Sequence, residues 1–420
     1  MIFNKQLNFS KASTFRISGV TIVSLLASYL NNIKPSPTLS LAKKAKELKA
    51  QGIDVLNISV GEPDVDTPQN IKDAAIAAIK SGKTKYTAVD GIPELKNAIL
   101  QKYSTRYQGI KLSNIIVCCG AKHVIYGCFM ATINEGDEVI IPAPFWVSYP
   151  DMVKIARGTP VIVECTEKDG FKLTPALLEK AITKKSKWLV INSPSNPTGV
   201  KYTREELKAL ANVIKRYPDL YVMSDDIYED MVYGDSVYSL IDVAPEIADR
   251  IFVVNGVSKA YSMTGWRIGY GIGDERIIKY METVQSQSTS NPCSISQYAA
   301  LEALVGDQSS IASMVKDLEE RCDLSHKLLT EVEGITCIKP QGAFYLFPSC
   351  GAFFGKMLPD GSLINSDSDF CAYILNEAKV AITPGSAFGL DGYFRFSYTV
   401  PRETIRQAIE RIKLACDMLR

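Results

Sequence analysis

Histidine is nearly missing from this chain, with 2 residues in 420. His123 and His326 are too few for a histidine-rich metal centre, and the 10 cysteines form no CxxC pair and no Cys/His cluster at metal spacing. No metal site is expected, and the scattered thiols read as buried groups of a reducing cytoplasm. An excess of one charge is missing too. Lys and Arg number 47 against 46 for Asp and Glu, without a long basic block, which argues against a nucleic-acid binder and for a small-molecule partner. Long apolar runs are scarce. ISGVTIVSLLASYL (17–30) comes nearest and falls short of a membrane span. Asp and Glu are absent from the first 46 residues. Behind Lys5, Lys11 and Arg16, that run reads either as a transit-like extension or as an arm packed on the body or on a partner subunit, and residues 1–32 are assigned to it.

The remainder is ordinary for a globular protein, at 46% hydrophobic and 22% charged. A chain of 420 residues exceeds the usual single core, so two domains are expected. From residue 114 short apolar runs alternate with helical patterns: IIVCC (115–119), VII (139–141), WLVI (188–191), YVM (221–223) and IFVV (251–254). Continuous rather than alternating runs suit strands covered on both faces, hence an α/β domain with a mostly parallel sheet sandwiched by helices, over 60–305. Thr203 with Glu206 forms a capping box, and Thr174 before Pro175 is a second helix start. A connecting helix over about 308–333, strand-like AFYLF (343–347), VAIT (380–383) and YFRFSYT (393–399), a helix near 367–378 and a closing helix predict a smaller α+β domain, 33–59 with 306–420.

Polar candidates gather where apolar strands end, which is where open parallel sheets bind ligands. CGAKH (119–123), PAPFW (142–146), NSPSNPTG (192–199), SDDIYED (224–230) and NGVSK (255–259) each follow one. Singly each is ambiguous. NPTG is a good turn, Asp225 could cap a helix, Lys259 could be a solvated amine, Arg267 an ion-pair partner and Trp146 a rim aromatic. As an ordered set they answer one chemical demand. A lysine desolvated at a strand end has a lowered pKa and can form a Schiff base; a carboxylate can hold a pyridine nitrogen cationic; an arginine fork beside helix-start amides suits a phosphate dianion. Pyridoxal phosphate has these requirements. Nucleotide motifs do not compete: GKT (82–84) lacks the leading glycine, and GYGIG (269–273) does not complete GxGxxG.

GEPDVDTP, KYTAVDGIPELK, PAPFWVSYP, SPSNPTG, SDDIYE, SKAYSMTGWRIGY and FRFSY stand in an order that resembles the fold-type I, class I aminotransferases, in particular the bacterial aspartate and aspartate/prephenate branch. The resemblance runs from about IKPSPT (33–38) to the C-terminus. It implies Lys259 as the cofactor lysine and proton shuttle between substrate Cα and cofactor C4′, with Asp225 on the pyridine nitrogen. Tyr228 and Asn196 fall to the ring hydroxyl, and Trp146 stacks on the ring. Arg267 and the amides around Gly120, Ala121 and Lys122 take the phosphate, with Tyr86 reaching it from the other subunit of a homodimer. Arg395 is implied for the substrate α-carboxylate with Gly61, Trp146 and Asn196 nearby, Lys122 for a distal carboxylate and Lys34 for prephenate. Many relatives carry a hydroxyl three residues before the lysine; Gly256 stands there, leaving Ser258 as an alternative phosphate contact.

The expected activity is ping-pong transfer of an amino group from aspartate or glutamate to 2-oxoglutarate or oxaloacetate, extending to prephenate. A β-lyase or decarboxylase on the same scaffold is the nearest alternative, since cofactor ligands alone do not fix which Cα bond breaks. A cofactor-binding regulator without turnover is the alternative of another class, and it wants a DNA-binding module that the N-terminal arm is too short to supply.

Overall fold

The computed structural model describes residues 16–17, 20–21, 27–33, 37–234 and 236–419. Most of the expected N-terminal arm, and Lys34, lie outside the described residues.

Seven strands build the main sheet: β1 (Ile115–Cys118), β2 (Glu138–Ala143), β3 (Thr159–Glu164), β4 (Ser186–Asn192), β5 (Tyr221–Asp225), β6 (Ile251–Gly256) and β7 (Gly269–Ile272). Their order is β1-β7-β6-β5-β4-β2-β3. Only β7 runs antiparallel to its neighbours, β1 and β6; all other pairs are parallel. Alternate residues face opposite layers. Ile140, Leu189, Val222 and Val253 enter one core, while Ile141, Val190, Met223 and Val254 enter the other. Burial on both faces explains the unbroken apolar runs, each large side chain contributing about 1.5–3 kcal/mol.

Two strands of this sheet escape the sequence reading. β3 is an edge strand with exposed Thr159 and Glu164, and β7 is half glycine, so neither carries a continuous apolar run. The helix starts behave as read. Thr203 Oγ1 accepts from Glu206 N at 3.2 Å while Thr203 N donates to Glu206 Oε2 at 2.8 Å, opening helix Arg204–Ile214. Thr174 likewise caps Pro175–Ala181.

A second, smaller body carries a three-stranded antiparallel sheet (Tyr345–Leu346, Phe394–Ser397, Thr383–Pro384) and a parallel pair, Leu56–Asn57 with Val380–Ala381. These strands are shorter than AFYLF, VAIT and YFRFSYT suggest. Helices Pro37–Ala50, Ser309–Thr330, Asp367–Glu377 and Arg402–Asp417 complete it. Its core is built on Phe344, Phe370, Phe394, Phe396, Ile405 and Ile412, and Tyr228 and Met231 from beyond β5 join it. The two bodies therefore meet beside the end of β5. No helix among the described residues is long and apolar enough to cross a membrane.

Candidate active site

β2 continues to β3 on one side of the sheet and, through β4, to β5 and β6 on the other. Ligands of open α/β sheets lie at such a reversal, outside the carboxyl ends of the strands. A cavity of about 740 Å³ opens there. Its wall includes Lys122 from beyond β1, Trp146 from beyond β2, Asn196 from beyond β4, Asp225 and Tyr228 at and after β5, and Lys259 from beyond β6. Ala121, Arg267, Ser258, Gly61 and Arg395 line it as well. Five strand ends do converge. Tyr86 does not join them; it is 91% exposed on the single chain.

The Lys259 Nζ donates to Gly61 O at 2.6 Å and lies 5.8 Å from the Phe344 ring centre. Burial lowers its pKa to about 8, and the nearby Arg395 and Arg267 push the same way against the carboxylates of Glu62 and Asp225. Asp225 is 4% exposed, and burial raises its pKa to about 6. Tyr149 opposes that rise by donating its hydroxyl to Asp225 Oδ2 at 2.5 Å, and Ile227 N donates to Oδ1 at 3.3 Å. Behind them Asn192 Nδ2 donates to Asp225 O at 2.8 Å, tying β4 to β5 at the site.

Arg395 reaches in from strand Phe394–Ser397. Its Nη1 donates to Asn196 Oδ1 at 3.0 Å and its Nη2 to Ser59 O at 2.7 Å, while Nε has no partner among the described residues. The guanidinium lies 4.5 Å from the Tyr345 ring centre and 5.0 Å from that of Phe388, within cation–π range of both. Gly61 passes so close that a Cβ would meet Tyr345 Oη at 3.0 Å, and Tyr345 in turn shares a 3.0 Å hydrogen bond with Tyr228. Burial raises the Tyr228 pKa well above its ordinary value, keeping the hydroxyl neutral.

At the opposite end, helix Ala121–Thr132 begins at Gly120, whose φ of 86° only glycine adopts readily. A Cβ there would overlap the Arg267 guanidinium, which donates to Thr264 O at 2.9 Å and Cys119 O at 3.4 Å. An arginine thus lies across a helix start, an arrangement suited to a phosphate. Lys122 Nζ stands 4.8 Å from the Trp146 ring centre, and burial followed by Arg267 lowers its pKa.

Sequence reasoning did not assign Tyr149, Tyr345 or Ser59, and it placed the Gly61 backbone beside the substrate α-carboxylate without its bond to Lys259. Tyr149 lay in the quoted PAPFWVSYP, but its target is 76 residues away, and no local pattern announces that bond.

The donor set fits an aldehyde cofactor bearing a phosphate: a lysine with lowered pKa, a sealed carboxylate and an arginine-backed helix start belong to one cavity. Fold and cavity together define a pyridoxal-phosphate enzyme of the α/β type. A family model described as Aminotransferase class I and II matches residues 53–412, and the chain belongs to that family: it is a pyridoxal-phosphate-dependent aminotransferase. It is 55% identical over 399 residues to the "Probable aspartate/prephenate aminotransferase" of Rickettsia bellii, covering 94% of this chain and 100% of the relative. It is 50% identical to the "Aspartate/prephenate aminotransferase" of Cereibacter sphaeroides, covering 94% and 99%. The crystal structure of the aspartate aminotransferase from Rhizobium meliloti superposes with a TM-score of 0.91 at 44% identity, over 95% of this chain and 100% of that one.

Gly120→Ala tests the phosphate end. The positive-φ, extended-ψ backbone of Gly120 (φ 86°, ψ 159°) belongs almost entirely to glycine and costs an L-residue about 1–3 kcal/mol, and the methyl also displaces Arg267. Titration of the cofactor-free protein is expected to show pyridoxal phosphate binding weakened about tenfold or more, with pyridoxal, which lacks the phosphate, almost unaffected.

Proposed function

We propose that this aminotransferase moves the amino group of aspartate or glutamate to 2-oxoglutarate or oxaloacetate, with prephenate as a further acceptor. One observation carries the reading: the buried Arg395 fork, within cation–π range of two rings and with Nε free of any described partner. Such a fork suits a carboxylate bidentately. The names of the relatives from Rickettsia bellii and Cereibacter sphaeroides support both aspartate and prephenate.

In this reading Arg395 takes the α-carboxylate beside Gly61 and Asn196, and Lys122 takes the distal one. The cofactor, when bound, supplies an aldehyde and an electron-withdrawing ring. Lys259 would hold the aldehyde and move the proton at substrate Cα; Asp225 would hold the ring nitrogen cationic; Tyr228 and Asn196 would serve the ring hydroxyl, Trp146 its face, and Arg267 with the Gly120–Lys122 amides and Ser258 its phosphate. Because donor and acceptor use the same arginine in turn, initial-rate plots against the two substrates form parallel lines. The exposed Tyr86 supports a homodimer in which each subunit lends that side chain to its partner. The domain division is 33–59 with 306–420 against 60–305, and Lys34, outside the described residues, is kept for prephenate.

Lys122→Ala tests the specificity. Aspartate kcat/KM is expected to fall about tenfold relative to that for alanine, the cost of one charge-assisted contact of about 1.5 kcal/mol. An unchanged ratio rejects the distal-carboxylate role. Pyruvate and ammonia released from a cysteine conjugate without any 2-oxo acid would favour the lyase alternative.

A further inference from the structure

The segment 59–64 crosses from one body to the other. Ile58 still belongs to the smaller body, where its N donates to Ala381 O at 3.0 Å and its O accepts from Ser397 N at 3.0 Å. By Glu62 and Thr67 the chain is tied to the larger body: Thr264 Oγ1 donates to Glu62 Oε2 at 2.7 Å, and Thr67 Oγ1 donates to Ser262 O at 2.7 Å. Between these ties, two arginines of the smaller body hold the crossing. Arg395 Nη2 donates to Ser59 O at 2.7 Å. Arg321, from helix Ser309–Thr330, donates through Nη1 to Asp64 Oδ2 at 2.8 Å and to Val400 O at 3.0 Å, while its Nη2 pairs with Asp317 at 2.7 Å.

The two holds respond differently to a ligand. A carboxylate on Arg395 competes for the nitrogens that now bind Ser59 and Asn196, and an aldehyde on Lys259 removes the amine that now donates to Gly61 O. The Arg321 hold uses no group of the cavity. Arg321 is 8% exposed, and its Nη1 also grips Val400, five residues past Arg395 on the same segment of chain. Asp64 is therefore joined through one guanidinium to Val400, three residues beyond the strand that presents Arg395.

We infer that Arg321 is a positioning residue for substrate carboxylates: its ion pair with Asp64 keeps the 59–64 crossing, and with it Gly61, docked against Arg395 while the ligand-dependent bonds are surrendered. The pair acts on binding rather than on chemistry, because it touches neither the cavity nor Lys259. Losing it loosens the docked geometry that any α-carboxylate needs, whichever amino or oxo acid carries it.

The inference rests on Arg395 as the carboxylate site, and the experiment separates the two. Succinate, an unreactive dicarboxylate, is titrated into the holoenzyme of wild type, Asp64→Asn, Arg321→Met, the double variant and Arg395→Gln, with KM and kcat measured alongside. Asp64→Asn and Arg321→Met are each expected to raise the succinate Kd and the KM of donor and acceptor about five- to tenfold, with kcat within about twofold. The double variant should be no worse than Arg321→Met, because both changes break the same contact. Arg321→Lys, which keeps the charge without the fork, should recover part of the affinity. If Arg321→Met does not fold, Asp64→Asn alone decides, since it removes the same pair from the more exposed side. Wild-type succinate affinity in Asp64→Asn, with loss in Arg395→Gln, overturns the inference alone; unchanged affinity in Arg395→Gln overturns the carboxylate site beneath it. A fall in kcat with KM unchanged also overturns it, since that is the mark of a fault in the chemical step.

Discussion

Replacing Lys259 with alanine is expected to reduce transamination by on the order of 10⁴-fold or more, the upper range for losing a positioned proton-transfer group, here joined by loss of the covalent tether. The physical reason lies in the cavity. Burial brings the amine to a pKa of about 8, so near pH 8 half of it is the free nucleophile, against roughly 0.3% for an ordinary lysine. Three observations check this. Borohydride reduction of wild-type holoenzyme should leave the cofactor on the peptide containing residue 259, and Lys259→Ala should leave that peptide unlabelled. Uptake of pyridoxal phosphate by the cofactor-free protein should speed up as pH rises through about 8 and then level, because the unprotonated form reacts. Small primary amines should restore part of the variant's activity by replacing the missing base. A label on a different lysine would remove the basis of the assignment.

Much of this is legible in the amino-acid sequence. β1, β2, β4, β5 and β6 stand out as unbroken apolar runs because both of their faces are buried, and the polar residue after each run has nowhere to go but the mouth of the sheet. β3 was hidden because an edge strand mixes exposed and buried positions, and β7 because glycines at 269 and 271 depress strand propensity where the backbone must pass close to its neighbours. The same division holds in the cavity. Residues that present themselves through a motif, such as Lys259 in NGVSK and Arg395 in FRFSY, are readable from chain order. Residues that act through a long-range bond are not: Tyr149 meets Asp225 across 76 positions, and Lys259 meets Gly61 across 198. Backbone acceptors such as Ser59 O leave no trace in composition at all.

Asp225→Asn is expected to give the second-largest loss, about 150- to 5,000-fold in kcat, with the fold intact. The substitution keeps shape and hydrogen-bonding capacity but removes the charge, so the change isolates electrostatics. In the cofactor-free cavity burial raises Asp225 to a pKa of about 6, which still leaves the carboxylate ionised at neutral pH, held there by the Tyr149 hydroxyl and the Ile227 amide. A cationic ring nitrogen beside it makes a buried pair, and removing one partner of such a pair costs about 3–5 kcal/mol, which corresponds to the stated rate loss. Cofactor binding should suffer less than turnover, because in the proposed reading Arg267 and the Gly120–Lys122 amides would still hold the phosphate. Tyr149→Phe should act in the same direction but stay within about tenfold, since it removes one hydrogen bond to the charge and not the charge itself. The pair of variants also separates an enzyme from a cofactor-binding regulator. A regulator needs the phosphate grip and gains nothing from a buried carboxylate on the ring, so activity within threefold of wild type in Asp225→Asn would mean that this charge, sealed in at the cost of its own desolvation, has no part in turnover.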